Sequence, residues 1–438
     1  MTMRRIQVRE YEEVPLTDVP RPARVRDALL AATAGLREAV FRIDRKGHLW
    51  STGFVGIVEA AGVTIEMLPR SMAGRNDEDA DAAFMLNLLT AARLVPRRMW
   101  HLGRVALGSV PLFETVIRAA AVELQGVLHE HGPPRRFHEV EEEMTTILGS
   151  IDMVRAMRQL PPERNRVPIR HAPLQADNPL ARLMLSLAEH LQRCTKSRRS
   201  AALLANAADQ LSAAQRCQLS PRLVELSEPV IDVEDHWRPL YDLASGLARG
   251  VNPNPTRAGS TATNVLIFAL DDIFEKIMRR AIPYALLGTG LGLAASTPKR
   301  YMLRDTETGM YRLRLRPDFL ILDCDDPVLV ADAKWKHLTL DRNGLSLSRE
   351  DVFQITAYMN RYGLRDGVLL FPADTRTRRV VGAAWNRDLA VEGSTAIIKA
   401  LAIDAHALVS PERVQRDRAM VQLRDALTWA RGTHQQVA

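Results

Sequence analysis

Two acidic residues and a lysine interrupt apolar stretches where a packed sheet would take aliphatic side chains: Asp318 in "RLRPDFLIL", and Asp332 and Lys334 in "PVLVADAKWK". Two carboxylates held together repel each other unless a cation stands between them, and an all-oxygen ligand set with an open position suits Mg²⁺ or Mn²⁺. Asp332 and Lys334 are two apart, so on a strand both side chains leave the same face. A lysine beside such an ion can orient a water and stabilise charge that develops on a phosphate. Residue types and spacing therefore point to metal-dependent hydrolysis of a phosphodiester.

The flanking segments must bring these residues together. Both apolar runs read as strands, separated by the turn "DCDD". Before them, "NVLIFALDDIFEKIMRRAIP" reads as one helix with an apolar stripe of Leu266, Leu270, Ile273, Phe274 and Ile277. Asp271 and Glu275 stand one turn apart on its other face, and Glu275 is preferred to Asp271 as the supporting acid. After the strands comes a helix, "REDVFQITAYMNRYG", with Gln354 and Tyr358 one turn apart, then the apolar strand "DGVLLFP". This order sets Asp318 near the start of one strand and Asp332 and Lys334 near the end of its neighbour, where they can converge.

The remainder divides into two regions. In "KGHLWSTGFVGIVEAAGVTIEMLPR" (residues 46–70), Val63, Ile65 and Met67 alternate with Thr64, Glu66 and Leu68, the period of a strand. Residues 1–75 are thus expected to form a small β-rich domain. In "DAAFMLNLLTAARLV" and "NPLARLMLSLAEHLQRC" apolar residues recur every three or four positions, so residues 76–250 are expected to be mainly α-helical. The Pro, Gly, Asn and Thr of "GVNPNPTRAGSTATN" (residues 250–264) read as a linker, and residues 68–82 as a second hinge. Residues 251–438 then form an α/β C-terminal domain.

Composition narrows the class. A chain of 438 residues, 46% hydrophobic and 25% charged, is ordinary for a folded protein of two or three domains. No uninterrupted apolar run reaches about 18 residues, the N-terminus lacks the apolar core of a secretory signal, and Cys194, Cys217 and Cys324 follow no zinc or disulfide spacing. A cytoplasmic protein without a membrane partner is expected. The 59 Lys and Arg against 52 Asp and Glu leave a formal charge of +7, which favours a polyanion. Much of the excess is arginine, as in "RCTKSRR" (193–199) and "DTRTRRV" (374–380), and arginine forks match phosphate oxygens.

The segments "RPDF", "ADAKWK" and "QITAY" together resemble the PD-(D/E)xK nuclease core, in the branch with a Q-x-x-x-Y helix shared with RecB-type nucleases. "GFVGIVEAAGVTIEMLPR", "EEEMTTILGSIDMVRAMR", "DNPLARLM" and "DDIFEKIM" are similar, in order, to segments of the McrC family, the nuclease subunits of the McrBC modification-dependent restriction systems. The resemblance implies Asp318 and Asp332 as metal ligands, Lys334 as the catalytic lysine, and Glu275 as a supporting acid at the metal. It implies that Gln354 and Tyr358 position the site or the DNA strand. Trp335 departs from the tyrosine the family usually has after the lysine, and "LGSID" lacks its usual arginine.

No G-x-x-x-x-G-K-[ST] phosphate loop occurs; in "GTGLGLAASTPK" (288–299) no Gly-Lys-Ser/Thr follows the glycines. P-loop nucleotide hydrolysis by this chain is not expected. In the family it resembles, that work falls to a separate AAA+ GTPase hexamer, McrB, engaged by the N-terminal part of the nuclease subunit. The resemblance thus implies a McrB-like partner contacting residues up to about Leu68, and double-stranded, modified DNA as substrate. Two other functions fit the residues: a stand-alone RecB-like repair nuclease, and a non-cleaving DNA-binding adaptor of an NTPase.

Overall fold

The computed structural model describes residues 4–34, 36, 38–70, 78–95, 112–158, 165–231, 234–248, 264–336, 339–341, 344–373 and 385–435. The expected linker at 250–263, the centre of the expected hinge at 71–77 and the arginine cluster at 374–380 lie outside the described residues. The chain forms two compact units, Met1–Leu112 with Thr256–Ala438, and Phe113–Pro255.

The first unit begins with β1 (Arg4–Arg9), α1 (Pro22–Ala32), the hairpin β2 (Phe41–Ile43) and β3 (Leu49–Ser51), β4 (Phe54–Ala60), β5 (Val63–Leu68) and α2 (Glu78–Ala91). β5 pairs with β1 in parallel and with β4 antiparallel. Val63, Ile65 and Met67 are all buried, and so are Glu66 and Leu68 on the opposite face, so the strand is covered on both sides. The helix α1 is an addition to the β-rich reading: Pro22 opens it, and Val25, Leu29 and Ala32 turn one buried stripe to the sheet core.

The second unit carries helices α3 (Leu112–His131), α4 (Met153–Arg158), α5 (Pro179–Cys194), α6 (Arg198–Gln210), α7 (Pro221–Ile231) and α8 (Arg238–Ala248). Short strands β6 (Arg136–Phe137), β7 (Val140–Met144), β8 (Ser150–Ile151), β9 (Val167–His171) and β10 (Leu174–Gln175) form a two-stranded and a three-stranded sheet among them. Asn178 caps α5, its side chain accepting the Ala181 amide at 3.0 Å.

The return to the first unit corrects the sequence reading. Residues Asn264–Ala269, expected to be the first turns of a helix, form strand β11, antiparallel to β4. Leu266, Ile267 and Phe268 are all buried, and a run apolar on both faces does not distinguish strand from helix by period. The two backbones come so close that a Cβ at Gly56 of β4 would stand 2.1 Å from the Leu266 carbonyl oxygen. The helix proper, α9 (Leu270–Ala285), starts one residue later with Asp271 and Asp272 in its first turn. β11 and α9 are therefore one continuous segment that belongs at one end to the N-terminal sheet and at the other to the C-terminal layer.

The C-terminal elements are β12 (Leu291–Leu293), β13 (Arg300–Arg304), β14 (Tyr311–Leu315), β15 (Phe319–Asp323), β16 (Asp326–Ala333), β17 (Thr339–Asp341), β18 (Gly344–Ser346), α10 (Arg349–Tyr362), β19 (Asp366–Pro372), β20 (Trp385–Ala390), β21 (Ile397–Ile403), α11 (Ala405–Leu408) and α12 (Arg413–Gln435). Six strands make the main sheet in the order β12-β15-β16-β19-β21-β20. β15 and β16 are an antiparallel hairpin, whereas β16, β19 and β21 run parallel. A parallel neighbour requires a crossover, and α10 supplies it between β16 and β19. Ile355, Tyr358 and Met359 of α10 pack with Leu320, Val330 and Leu369 of the sheet. At Gly367 a Cβ would meet Met359 Sδ at 2.7 Å, so the missing side chain lets the helix close down. The run "RLRPDFLIL" is two strands, not one: Pro317 has no amide to donate, and the chain breaks there between β14 and β15. Among the described residues no helix is long and apolar enough to cross a membrane.

Candidate active site

The hairpin β15–β16 and the helices on either side of it build one acidic site. Asp318 stands immediately before β15, where Pro317 ends the preceding strand; Asp332 lies inside β16 and Lys334 one residue beyond it. Antiparallel pairing of Phe319 with Ala331 brings the start of β15 against the end of β16. Asp318 Oδ2 accepts the Ala333 amide at 2.9 Å, a bond that ties the first acid to the strand carrying the second. Lys334 Nζ stands 2.7 Å from Asp332 Oδ2, as expected for residues two apart on one face.

The two carboxyls are strongly perturbed. Burial, then the Asp332 charge, then Glu275 push Asp318 up to about 8. Asp332, only 1% exposed, is also raised, chiefly by burial and against the pull of Lys334. Burial works to lower the Lys334 ammonium, but Asp332, Asp318 and Asp351 outweigh it and the net shift is upward. The acidic neighbours therefore favour the charged form of Lys334. Lys334 pairs with Asp332 Oδ2 by charge, so the buried carboxylate rests on this lysine and on the Asp318 carboxyl beside it.

A buried carboxylate in that condition is costly unless something else completes its coordination. Two buried carboxyl groups side by side, the ionisation of Asp318 opposed by the charge of Asp332, fit a hard divalent cation. Among the described residues no group of three His, Cys, Asp or Glu side chains that could hold a metal ion occurs, so the candidate ligands are the two carboxylates alone, and Mg²⁺ is an ion that one or two carboxylates with waters can bind. The residues present thus fit such an ion, which Asp318 and Asp332 would hold.

Glu275 approaches this pair closely enough to raise Asp318, but its Oε1 accepts from Arg279 Nη2 at 3.0 Å. Arg279 also donates to the Asp318 carbonyl at 2.8 Å and lies over the Phe319 ring at 5.2 Å. Glu275 and Arg279 thereby steady the backbone at Asp318. Asp271, the other candidate acid, accepts the Trp335 amide at 2.7 Å and is raised by burial to about 6. On α10, Gln354 Nε2 donates to Tyr358 OH at 2.8 Å, and that hydroxyl donates to the Arg316 carbonyl at 3.1 Å. The Gln-Tyr pair thus fastens the segment leading to Asp318.

Asp351 escaped the sequence reading. It is 3% exposed and accepts Lys336 Nζ at 2.8 Å. Its position in the first turn of α10, three before Gln354 and seven before Tyr358, puts all three on one stripe, and that spacing was the available signal. Glu10 was also missed. It accepts the Trp335 indole Nε1 at 2.7 Å across a sequence separation of 325 residues, for which a single sequence holds no sign.

A family model for McrBC 5-methylcytosine restriction system components matches residues 49–372. The chain is similar in structure to a chain of the refined half-complex from a tetradecameric assembly of Thermococcus gammatolerans McrB AAA+ hexamers with bound McrC. The TM-score is 0.56 at 17% identity, over 97% of this chain and 99% of that one; at that identity the likeness speaks for a shared fold. A chain from the cryo-EM structure of the Thermococcus gammatolerans McrBC complex is similar at 18% identity and a TM-score of 0.47, over 64% and 88% of the two chains. No curated protein matches the chain in sequence.

Proposed function

The chain belongs to the family of McrBC 5-methylcytosine restriction system components, and from that premise we propose that it is the system's metal-dependent DNA-cleaving subunit, working with a McrB-like AAA+ GTPase. The observation that carries this reading is the buried pair Asp318 and Asp332, each raised above the ordinary carboxylate range, with Lys334 Nζ 2.7 Å from Asp332 Oδ2. The C-terminal order α9, β15, β16, α10, β19 is read as a PD-(D/E)xK nuclease core. The T. gammatolerans likeness, in which McrB AAA+ hexamers bind McrC, supports a ring partner.

In this reading Asp318 and Asp332 hold Mg²⁺ or Mn²⁺. When bound, the ion supplies a Lewis acid that eases ionisation of a water and offsets charge on the scissile phosphate. Lys334, kept protonated by its acidic neighbours, stabilises the negative charge that grows on the phosphate oxygens. Glu275 supports the site through Asp318, directly by charge and through Arg279. Tyr358 and Gln354 keep the Asp318 segment in place from the other side. Double-stranded DNA carrying a modified cytosine is the proposed substrate. Positive charge reads phosphate without reading sequence, so recognition of the mark is assigned to the partner.

The N-terminal sheet was expected to contact the ring. It remains one candidate surface, but β11 and α9 make it continuous with the C-terminal layer, so deleting residues 1–68 would dismantle both. A second surface is favoured by exposure: in the second unit Ile147, Leu148, Met153, Val154 and Met157 are 48–76% exposed, an apolar group of the kind that marks a partner site. The test mixes the chain with its AAA+ partner, GTP, Mg²⁺ and methylated or unmethylated DNA. Cleavage restricted to the full mixture with methylated DNA is the expected result. Efficient cutting by the chain alone would favour the repair nuclease, and stimulated GTP hydrolysis without any cutting the adaptor. Loss of the stimulation in Val154→Asp/Met157→Asp would assign the contact to the second unit.

A further inference from the structure

At the end of β16 the chain leaves the sheet, and two acidic side chains from distant parts of the sequence catch it. The Lys334 amide still donates to Leu370 O of β19 at 2.9 Å. The next amide, of Trp335, turns away and donates to Asp271 Oδ1 at 2.7 Å, while the indole Nε1 donates to Glu10 Oε2 at 2.7 Å. Trp335 and Glu10 are 1% and 0% exposed. Glu10 stands one residue beyond β1; its own amide donates to Leu68 O at 3.0 Å, and its Oε1 accepts the Arg70 amide at 3.1 Å. One buried carboxylate thus spans two places, the chain beyond β5 and the side chain that follows Lys334. The indole also meets Phe274 of α9 edge-on, ring centroids 5.6 Å apart.

Space filling alone does not account for this arrangement. A phenylalanine would pack the same pocket without needing a carboxylate buried opposite it, and burying a carboxylate costs free energy unless each oxygen finds donors. What the polar pair adds is direction: it fixes where the backbone turns immediately after Lys334. That turn decides whether the long, flexible lysine stem is delivered to the face of β16 that carries Asp332.

Resting on the hydrolase reading above, we infer that Trp335 is a positioning residue, held by Glu10 and Asp271 so that Lys334 stays against Asp332, and that the end of β1 is thereby linked to the cleavage site. Whatever displaces the segment beyond β1 moves the indole, and with it the lysine. The fixed chain direction, not the aromatic bulk, is what the site requires.

The test uses the full chain with its AAA+ partner and compares Trp335→Phe and Glu10→Gln with wild type and Asp332→Ala. Trp335→Phe keeps a ring and loses the N–H. Glu10→Gln has one acceptor oxygen for two donors. Each variant should lower kcat for DNA cleavage about tenfold or more, with KM for DNA and stimulation of GTP hydrolysis unchanged, and the double variant should be no slower than the worse single one. In the metal-free chain, amide exchange in the peptide spanning residues 333–336 should quicken about tenfold while β19 keeps its protection. Wild-type kcat in both variants, with cleavage lost in Asp332→Ala, would overturn the inference and leave the hydrolase reading standing. If wild type and Asp332→Ala cut alike, the hydrolase reading has failed and exchange alone decides: local quickening at 333–336 upholds the clamp, and unchanged exchange overturns it. Quickening throughout the sheet would reduce Trp335 to a core residue and likewise overturn it.

Discussion

Asp318 reaches across to the neighbouring strand and accepts the amide of Ala333 at 2.9 Å, so the first acid of the site also fastens the backbone between Asp332 and Lys334. Its structural and chemical roles can be separated. Asp318→Asn keeps an acceptor for that amide and removes a carboxyl that burial and Asp332 strain; it should be at least as stable as wild type to thermal unfolding. Asp318→Ala leaves the amide without a partner and should lose about 1–3 kcal/mol. Both should be inactive. Equal stability of the two variants would deny the bond its structural role.

The pH dependence of ion binding follows from the raised carboxyls. Asp318, pushed up to about 8, lies above the ordinary carboxylate value near 3.9. Between those values the folded state holds a proton that the unfolded chain has lost, so without metal this group's contribution to stability falls as pH rises from about 4 through about 8. A cation needs the ionised form. Mn²⁺ should therefore raise the Tm more at pH 8.5 than at pH 6.5, and not at all in Asp318→Asn/Asp332→Asn. A shift of equal size at both pH values would contradict the assignment.

Glu275 raises Asp318 through its charge, so Glu275→Gln should let Asp318 ionise more readily and move the pH midpoint of Mn²⁺ binding downward. If Glu275 were itself a necessary ligand, the same substitution would weaken binding at every pH. Titration calorimetry across that pH range distinguishes the two roles.

The Tyr358 hydroxyl connects Gln354 to the Arg316 carbonyl, two residues before Asp318. Tyr358→Phe removes both bonds and keeps the ring in the core formed with Leu320 and Leu369. It should cost about 1–2 kcal/mol of stability and slow cleavage about tenfold without abolishing it. Complete loss of activity in a stable variant would mean that the hydroxyl touches the reacting groups.

The juxtaposition at the candidate site was legible because its chemistry contradicts its surroundings: Asp332 and Lys334 interrupt an apolar run, and a spacing of two fixes their common face. The pair Gln354 and Tyr358 was legible for the analogous reason of helical spacing. What failed were boundaries and long-range partners. Leu266 was read into a helical stripe with Leu270 because both faces of Val265–Phe268 are buried, and only pairing with β4 reveals a strand. Pro317 broke a run whose apolar pattern continues across it. Glu10 and Trp335 meet through tertiary folding alone, and neither residue's neighbours in sequence announce the other.

The measurement that bears most directly on the account is cleavage of methylated DNA by Asp332→Ala together with the AAA+ partner, GTP and Mg²⁺, scored beside its stimulation of GTP hydrolysis. Loss of the ion's holder should remove several kcal/mol of transition-state stabilisation, on the order of a thousandfold in rate or more, while the stimulation stays at the wild-type level and wild-type cleavage disappears on chelation of Mg²⁺. A stable Asp332→Ala chain that cuts at the wild-type rate, or wild-type cutting that survives chelation, would contradict the assignment of Asp318, Asp332 and Lys334 as a metal-dependent nuclease site.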